Sequence, residues 1–285
     1  MSKEIEIVEI PEMPNEILDR VSNGKLVLFI GAGVSRIVGC PSWKELSIRF
    51  LDDLVDKKKI NFYEYEKLKV LDARKLISIC IISYERNNIM LPDIANWFRG
   101  DVEKLKNSSI FHDLISFKAP ILTTNYDEFL DNAMLKSFKN EANIIFKKEE
   151  MLISKLFQEN TVFHLHGSVK DSKNMILTTK DYLLHYKRDL EPAELLEEIF
   201  RKYTLLFVGY GLEEFEIMEF LLTRAKSSAN ELRHYMLYPF FKNEKEIFNF
   251  LQCYYGDLGI QLIPYAIDQN GYNQLEIVIK EWAKK

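Results

Sequence analysis

Gly31-Ala32-Gly33-Val34-Ser35 follows the apolar run Leu26-Val27-Leu28-Phe29-Ile30, the pattern of a buried strand entering a glycine turn. Glycine at both ends of the turn removes Cβ atoms that would keep a phosphate away from backbone N–H groups. The same pattern also serves as a plain tight connection from strand to helix, and the turn alone does not separate the two readings. Thr124-Asn125-Tyr126-Asp127 closes a second apolar run. The Asn125 amide offers a donor and an acceptor to a sugar hydroxyl or a water, while Asp127 suits either a binding role or the cap of the next helix. In His164-Leu165-His166-Gly167-Ser168 the two histidines stand at alternate positions, and both point the same way if the strand continues; the expected reading is His164 on the sheet face and His166, at the strand end before glycine, facing a cleft. A neutral imidazole there is a suitable general base near pH 7. Two histidines without cysteine or carboxylate partners are weak metal ligands, so no metal is expected. Gly209-Tyr210-Gly211 follows the apolar run Leu205–Val208 and forms a fourth such segment.

These segments must be positioned by the elements between them. Residues 1–14, with Ile5, Ile7 and Ile10 among acids, read as an extended N-terminal arm, either disordered or pairing with a neighbouring subunit. Asn15 is placed to cap a short helix that ends at Asn23-Gly24. Ser42-Trp43-Lys44-Glu45 is a capping box opening a helix to about residue 57, with Leu46, Phe50, Leu51 and Leu54 on one face. Trp43 reads as core or as a pocket wall. Residues 61–117 read as wholly helical, an insertion between strands. Beyond 118, strands are expected at 121–124, 143–146, 162–165, 205–208, 234–238 and 260–263. Helices are expected at 127–138, 149–157, within 176–201 (the longer starting near Pro192), at 213–225, 243–252 and 273–284. Alternating strands and helices predict an α/β fold: a doubly wound, mostly parallel Rossmann-like sheet over residues 15–285. In such a sheet ligands sit at the carboxyl ends of the strands, where all four segments fall.

The chain has 285 residues, 47% of them apolar, with 19 Phe and 14 Tyr, enough for a sizeable core. A net charge of −5 argues against direct, broad nucleic-acid binding. Cys40, Cys80 and Cys253 form no CxxC pair, which suits a reducing cytoplasm. The acidic start is unlike a signal peptide, and no apolar run approaches the ~18 residues of a membrane span. There is no G-x-x-x-x-G-K-[ST] phosphate loop and no G-x-S-x-G elbow. Arg36 stands where the dinucleotide fingerprint has its third glycine, so a hydride-transferring dehydrogenase fits poorly.

In order, GAGVS, TTNYD, HLHGS and GYG resemble the sirtuin-like family, over roughly residues 24–240. Gly31 to Pro41 is similar to the GAGxSxxxGxP loop that holds NAD in that family. Asn125 and Asp127 match its N-x-D pair, His166-Gly167-Ser168 the segment with its catalytic histidine, and Gly209-Tyr210-Gly211 its turn against the nucleotide. The resemblance implies catalytic roles for Asn125, His166 and Asp127, and NAD contacts for Gly31, Ala32, Gly33, Ser35, Gly209, Tyr210 and Gly211. Only Cys253 follows His166, so the four-cysteine zinc module of protein-deacetylating sirtuins is missing and no zinc is expected. Ser42-Trp43-Lys44 replaces the Asp-Phe-Arg of those enzymes.

These departures resemble the bacterial sirtuin-like branch that hydrolyses NAD in antiphage defence. The resemblance implies a cytoplasmic NAD hydrolase giving nicotinamide and ADP-ribose, with NAD as substrate. It also implies a homo-oligomer, or control by a separate partner such as a ring ATPase or a nucleic-acid-guided protein. A non-catalytic module sensing NAD or ADP-ribose, and a divergent NAD-dependent deacylase, are the alternatives.

Overall fold

In the computed structural model, residues 6–187, 190–211, 214–225 and 234–285 are described. Among them, β1 (Leu26–Ile30), β2 (Ile121–Thr123), β3 (Asn143–Ile145), β4 (Thr161–His164), β5 (Thr204–Val208), β6 (His234–Phe240) and β7 (Ile260–Ala266) form one all-parallel sheet. The strand order is β3-β4-β2-β1-β5-β6-β7. Every residue of β1 and β5 is buried. Such continuous apolar runs are what strands covered by helices on both faces require. One core layer gathers Phe29, Phe163, Phe207 and Met236, and the other Leu28, Ile121, Leu206 and Trp282.

The chain leaves β1 towards β2, β4 and β3 on one side and returns to β5, β6 and β7 on the other. The order therefore reverses at β1, and the register there is informative. Ile30 pairs with Thr123 and Val208, and Thr123 pairs with His164. The last residues of four strands thus stand in one row. Gly31, Thr124, Leu165 and Gly209 each take the next step beyond it.

Between the helix Trp43–Asp56 and β2, five short helices run from Phe62 to Ile115. They help build a third apolar cluster around Phe50, Leu76, Ile77 and Tyr84, which also takes in Tyr126 from the loop after β2. That cluster walls one side of the carboxyl edge of the sheet. The capping box forms: Ser42 Oγ accepts from Glu45 N–H at 3.2 Å, and Glu45 accepts from Ser42 N–H at 2.7 Å. Asn23-Gly24 ends the first helix, with Gly24 at φ +62° and Lys25 N–H reaching back to the Arg20 carbonyl at 2.8 Å.

Several local expectations are corrected. Asn15 is the first residue of the helix Asn15–Ser22, after Pro14, and makes no side-chain cap. The helix expected over 149–157 is broken into Lys148–Glu150 and Ile153–Leu156. The helix expected from Asp127 begins at Phe129, although Asp127 Oδ1 still accepts from Phe129 N–H at 3.3 Å. Glu213, the expected start of another helix, lies outside the described residues, and that helix runs Phe215–Ala225. β6 and β7 extend beyond their expected ends.

Residues 1–5 lie outside the described residues. The rest of the arm packs on its own chain: Ile7 is buried, Val8 bridges Tyr265, and Trp282 Nε1 donates to the Pro11 carbonyl at 2.8 Å.

Candidate active site

The two glycine turns meet each other. Gly33 N–H donates to the Gly209 carbonyl at 2.7 Å, and Gly31 N–H continues the β1–β5 ladder to Val208 at 3.0 Å. A Cβ on Gly31 would lie 2.6 Å from the Gly209 oxygen and one on Gly33 2.7 Å from it, while Gly209 itself sits at φ +61° against Val34. Each of the three glycines meets backbone atoms below 3 Å, which cannot rotate away. The glycines are required by the closure of one turn on the other, whatever ligand the turns hold. Phe29 and Tyr210 extend the contact, ring to ring at 4.9 Å.

Asn125 ties the same turn to β2. Its Nδ2 donates to the Gly31 carbonyl at 3.1 Å and to Ser35 Oγ at 2.9 Å. Because one partner is a carbonyl, the amide orientation is determined by the network. Ser35 donates in turn to the Asp127 carboxylate. Asn125 N–H is held by Thr123 Oγ1 at 3.0 Å, which itself donates to the Ile30 carbonyl at 3.0 Å. Asn125 Oδ1 is buried with no hydrogen-bond partner among the described residues. A buried acceptor without a donor costs on the order of 1–3 kcal/mol, a penalty a bound hydroxyl or water would remove.

Ala32, Ser35, Trp43, Asn125 and Asp127 line an open pocket, with Cys40, Leu46, Phe98 and Tyr126. Burial raises the Asp127 pKa, opposed by the Ser35 hydroxyl and the Phe129 N–H. Trp43 is half-buried and serves both of its expected roles: it lines the pocket and packs edge-on against Tyr126 and Tyr182.

The two histidines part company. His164 Nδ1 donates to the Asn125 carbonyl at 2.9 Å and Nε2 to Asp131 Oδ1 at 2.6 Å. Both partners are acceptors, so the ring carries both protons as an imidazolium. Burial disfavours that charge, but Asp131 outweighs it and raises the His164 pKa; Asp131 is lowered by His164 and by Lys170, 3.0 Å away.

His166 does not face the open cleft, contrary to the expectation from its place at the strand end. It is fully buried behind Tyr126, because β4 ends at His164 and the chain turns inward through Gly167 at φ +81°. Its Nε2 meets Tyr186 OH at 2.6 Å and its Nδ1 faces Tyr182 OH at 3.3 Å. Glu214 Oε2 is 3.4 Å from Nε2. Burial, with His185 and Arg74 nearby, pushes the His166 pKa well below its ordinary value.

Tyr182, Tyr186 and Glu214 were not anticipated as site residues. The aromatics at i and i+4 of the helix Thr179–Lys187 were a signal that this face covers something; Glu214 had none. The Arg74 guanidinium stacks on Tyr182, 3.7 Å from the ring centroid, and Thr179 N–H donates to Ser78 Oγ at 2.9 Å. The helix Ala73–Arg86 thus holds this cover in place. Among the described residues, no group of three or more His, Cys, Asp or Glu is placed to hold a metal ion, and no helix is long and apolar enough to cross a membrane.

Residues 119–256 match the SIR2-like domain family, a stretch that includes Asn125, Asp127, His166 and Gly209–Gly211. The chain is 29% identical to Defense-associated sirtuin 2 of Bacillus subtilis over 277 residues, 93% of this chain and 26% of that protein. It is 24% identical to the NAD(+) hydrolase ThsA of Cytobacillus dafuensis over 217 residues, 74% of this chain and 40% of that protein. It is 25% identical to the NAD(+) hydrolase ThsA of Bacillus cereus over 220 residues, 74% of this chain and 42% of that protein. The chain therefore spans between about a quarter and two fifths of the length of these relatives.

Proposed function

We propose that this chain, a sirtuin-like protein by its SIR2-like domain, hydrolyses NAD at the nicotinamide–ribose bond, and that NAD loss is its contribution to antiphage defence. The observation that carries the reading is the unpartnered Oδ1 of Asn125, buried beside an open pocket at the carboxyl end of β2. It is the acceptor that a ribose hydroxyl or an attacking water would need. The names of two relatives as NAD hydrolases and of one as a defence-associated sirtuin support the same substrate and setting.

In this reading the Gly31–Ser35 loop and the Gly209–Gly211 turn hold the dinucleotide, and Asn125 orients the ribose or the water. Asp127 accepts from the nicotinamide amide or faces the positive ribose. The C1′–N bond breaks with its electron pair leaving on the pyridine nitrogen, water adds at C1′, and its proton passes to His166. Fixing water and sugar in one geometry supplies the orientation term, and the base is typically worth ~10²–10⁴-fold. Because His166 is enclosed, the cover of Tyr182 and Tyr186 must shift before a ribose reaches Nε2.

That enclosure also favours a second reading, a module that binds NAD or ADP-ribose without cleaving it. Incubating the purified chain with NAD and following nicotinamide decides between them. Release that is abolished by Asn125→Ala and by His166→Ala, in variants with native circular dichroism, supports the hydrolase. Saturable NAD binding with no nicotinamide released supports the module and overturns the hydrolase.

An NAD hydrolase needs restraint, and we place it in self-association or in a separate partner, such as a ring ATPase or a nucleic-acid-guided protein. Phe62, Tyr63, Val70 and Met90 in the helical region are each at least 70% exposed, which supports subunit contacts there. Light scattering tests this: a fully active monomer would contradict it.

A further inference from the structure

We propose that Glu214 is a positioning residue for His166: its carboxylate supports the imidazole as the ring takes up the proton of the attacking water. The inference rests on the hydrolase reading for its chemistry, but the contact stands on geometry alone. Glu214 lies just beyond the Gly209–Gly211 turn, directly before the helix Phe215–Ala225, and is itself buried at 7% exposure. Its Oε2 is 3.4 Å from His166 Nε2.

Around the imidazole stand Tyr126 from the loop after β2, Tyr182, His185 and Tyr186 from the helix Thr179–Lys187, and Arg74 from the helix Ala73–Arg86. Burial drives the pKa of Tyr126 and Tyr182 well above 10, so both are neutral. Arg74 is cationic. Among these neighbours Glu214 carries the one carboxyl group, and its Oε2 lies at Nε2.

The Thr124 backbone acts on the ring in the sense that favours its protonation. Tyr186 OH stands 2.6 Å from Nε2. When C1′–N breaks and the water oxygen bonds C1′, the water proton moves to Nε2. Glu214 keeps its charge and faces the new imidazolium, and the proton later leaves to solvent. Glu214 is thus the counter-charge to the imidazolium, brought together with it by the turn after β5 and the loop after β4.

The test uses the whole chain and two independent readouts. In nicotinamide release, Glu214→Gln is expected to lower kcat about 10–100-fold with the KM for NAD nearly unchanged, and Glu214→Asp to restore part of it. Wild-type kcat in Glu214→Gln would overturn the proposal. Separately, ¹⁵N NMR of the histidine rings follows protonation of His166, assigned by its loss in His166→Ala. Glu214→Gln should shift its titration to lower pH, and an unmoved titration refutes the pairing. A wild-type chain that releases no nicotinamide refutes the hydrolase reading, while the NMR comparison still judges the contact.

Discussion

The Asn125 side-chain amide donates to Ser35 Oγ at 2.9 Å, across ninety residues of sequence. With the bond to the Gly31 carbonyl, it fastens the loop after β1 to the end of β2. The residue proposed to orient the sugar is therefore also the clamp on the loop proposed to hold the phosphates. Binding and positioning are coupled through one amide.

Asn125→Asp separates these roles. The substitution keeps an acceptor but replaces the donor that serves Gly31 and Ser35, setting carboxylate oxygen against carbonyl oxygen. We expect a stability loss of about 1–3 kcal/mol in urea unfolding, together with loss of nicotinamide release. Unchanged stability would mean that the amide does not clamp the loop.

Gly33→Ala should be costly and Gly256→Ala should not. A Cβ on Gly33 meets backbone atoms of Gly209 at 2.7 and 2.8 Å, whereas one on Gly256, within the helix Lys245–Asp257, comes no closer than 3.8 Å to a flexible Gln252 side chain. We expect Gly33→Ala to destabilise by about 1–3 kcal/mol and Gly256→Ala to stabilise by about 0.5–1 kcal/mol. Thermal unfolding of the two variants checks both signs; equal and small effects would contradict the turn-on-turn account.

The His164–Asp131 pair should shape stability against pH. The His164 pKa is raised, so its contribution is fully present below the unfolded value of 6.5 and is lost as pH rises through the folded value. The Asp131 pKa is lowered, so its contribution is present above the unfolded value of 3.8 and is lost as pH falls through the folded value. The pair contributes fully between those limits. Asp131→Asn leaves a buried imidazolium uncompensated and should cost about 3–5 kcal/mol at pH 6 by urea unfolding. A loss under about 1 kcal/mol would mean the pair behaves as a surface ion pair.

His166 gives the opposite sign. Its pKa is depressed, so it stays neutral in the folded protein while the unfolded chain takes up a proton below 6.5. Its contribution to stability is present above that pH and is lost as pH falls towards the folded value. The neutral base also persists there in the free, enclosed enzyme, so kcat/KM for nicotinamide release should stay level from pH 7 to below 6.5 before its acid limb. A limb at 6.5 or higher would mean that the ring of the free enzyme is already open to water.

The α/β architecture was legible in the chain because its signals are local. Strands buried on both faces must read as short unbroken apolar runs such as Leu26–Ile30 and Leu205–Val208, and Ser42 with Glu45 encloses its own helix start. The placement of the four polar segments at strand ends followed from that alternation, and the register of Ile30, Thr123, Val208 and His164 aligns them. Breaks without strong turn residues, such as the one at Met151-Leu152, left no local mark.

What tertiary structure alone decided is what each of those residues touches. Gly31 and Gly33 read equally as a phosphate cradle or a tight connection, and the closure of Gly209 on them requires glycine in either case. His164 and His166 share a spacing, yet one became an imidazolium against Asp131 and the other a neutral ring among tyrosines. Charge state and enclosure depend on desolvation and on partners tens of residues away, such as Asp131, Tyr186 and Glu214. Local periodicity holds the identity and order of the chemical groups; only long-range packing sets the field in which they act.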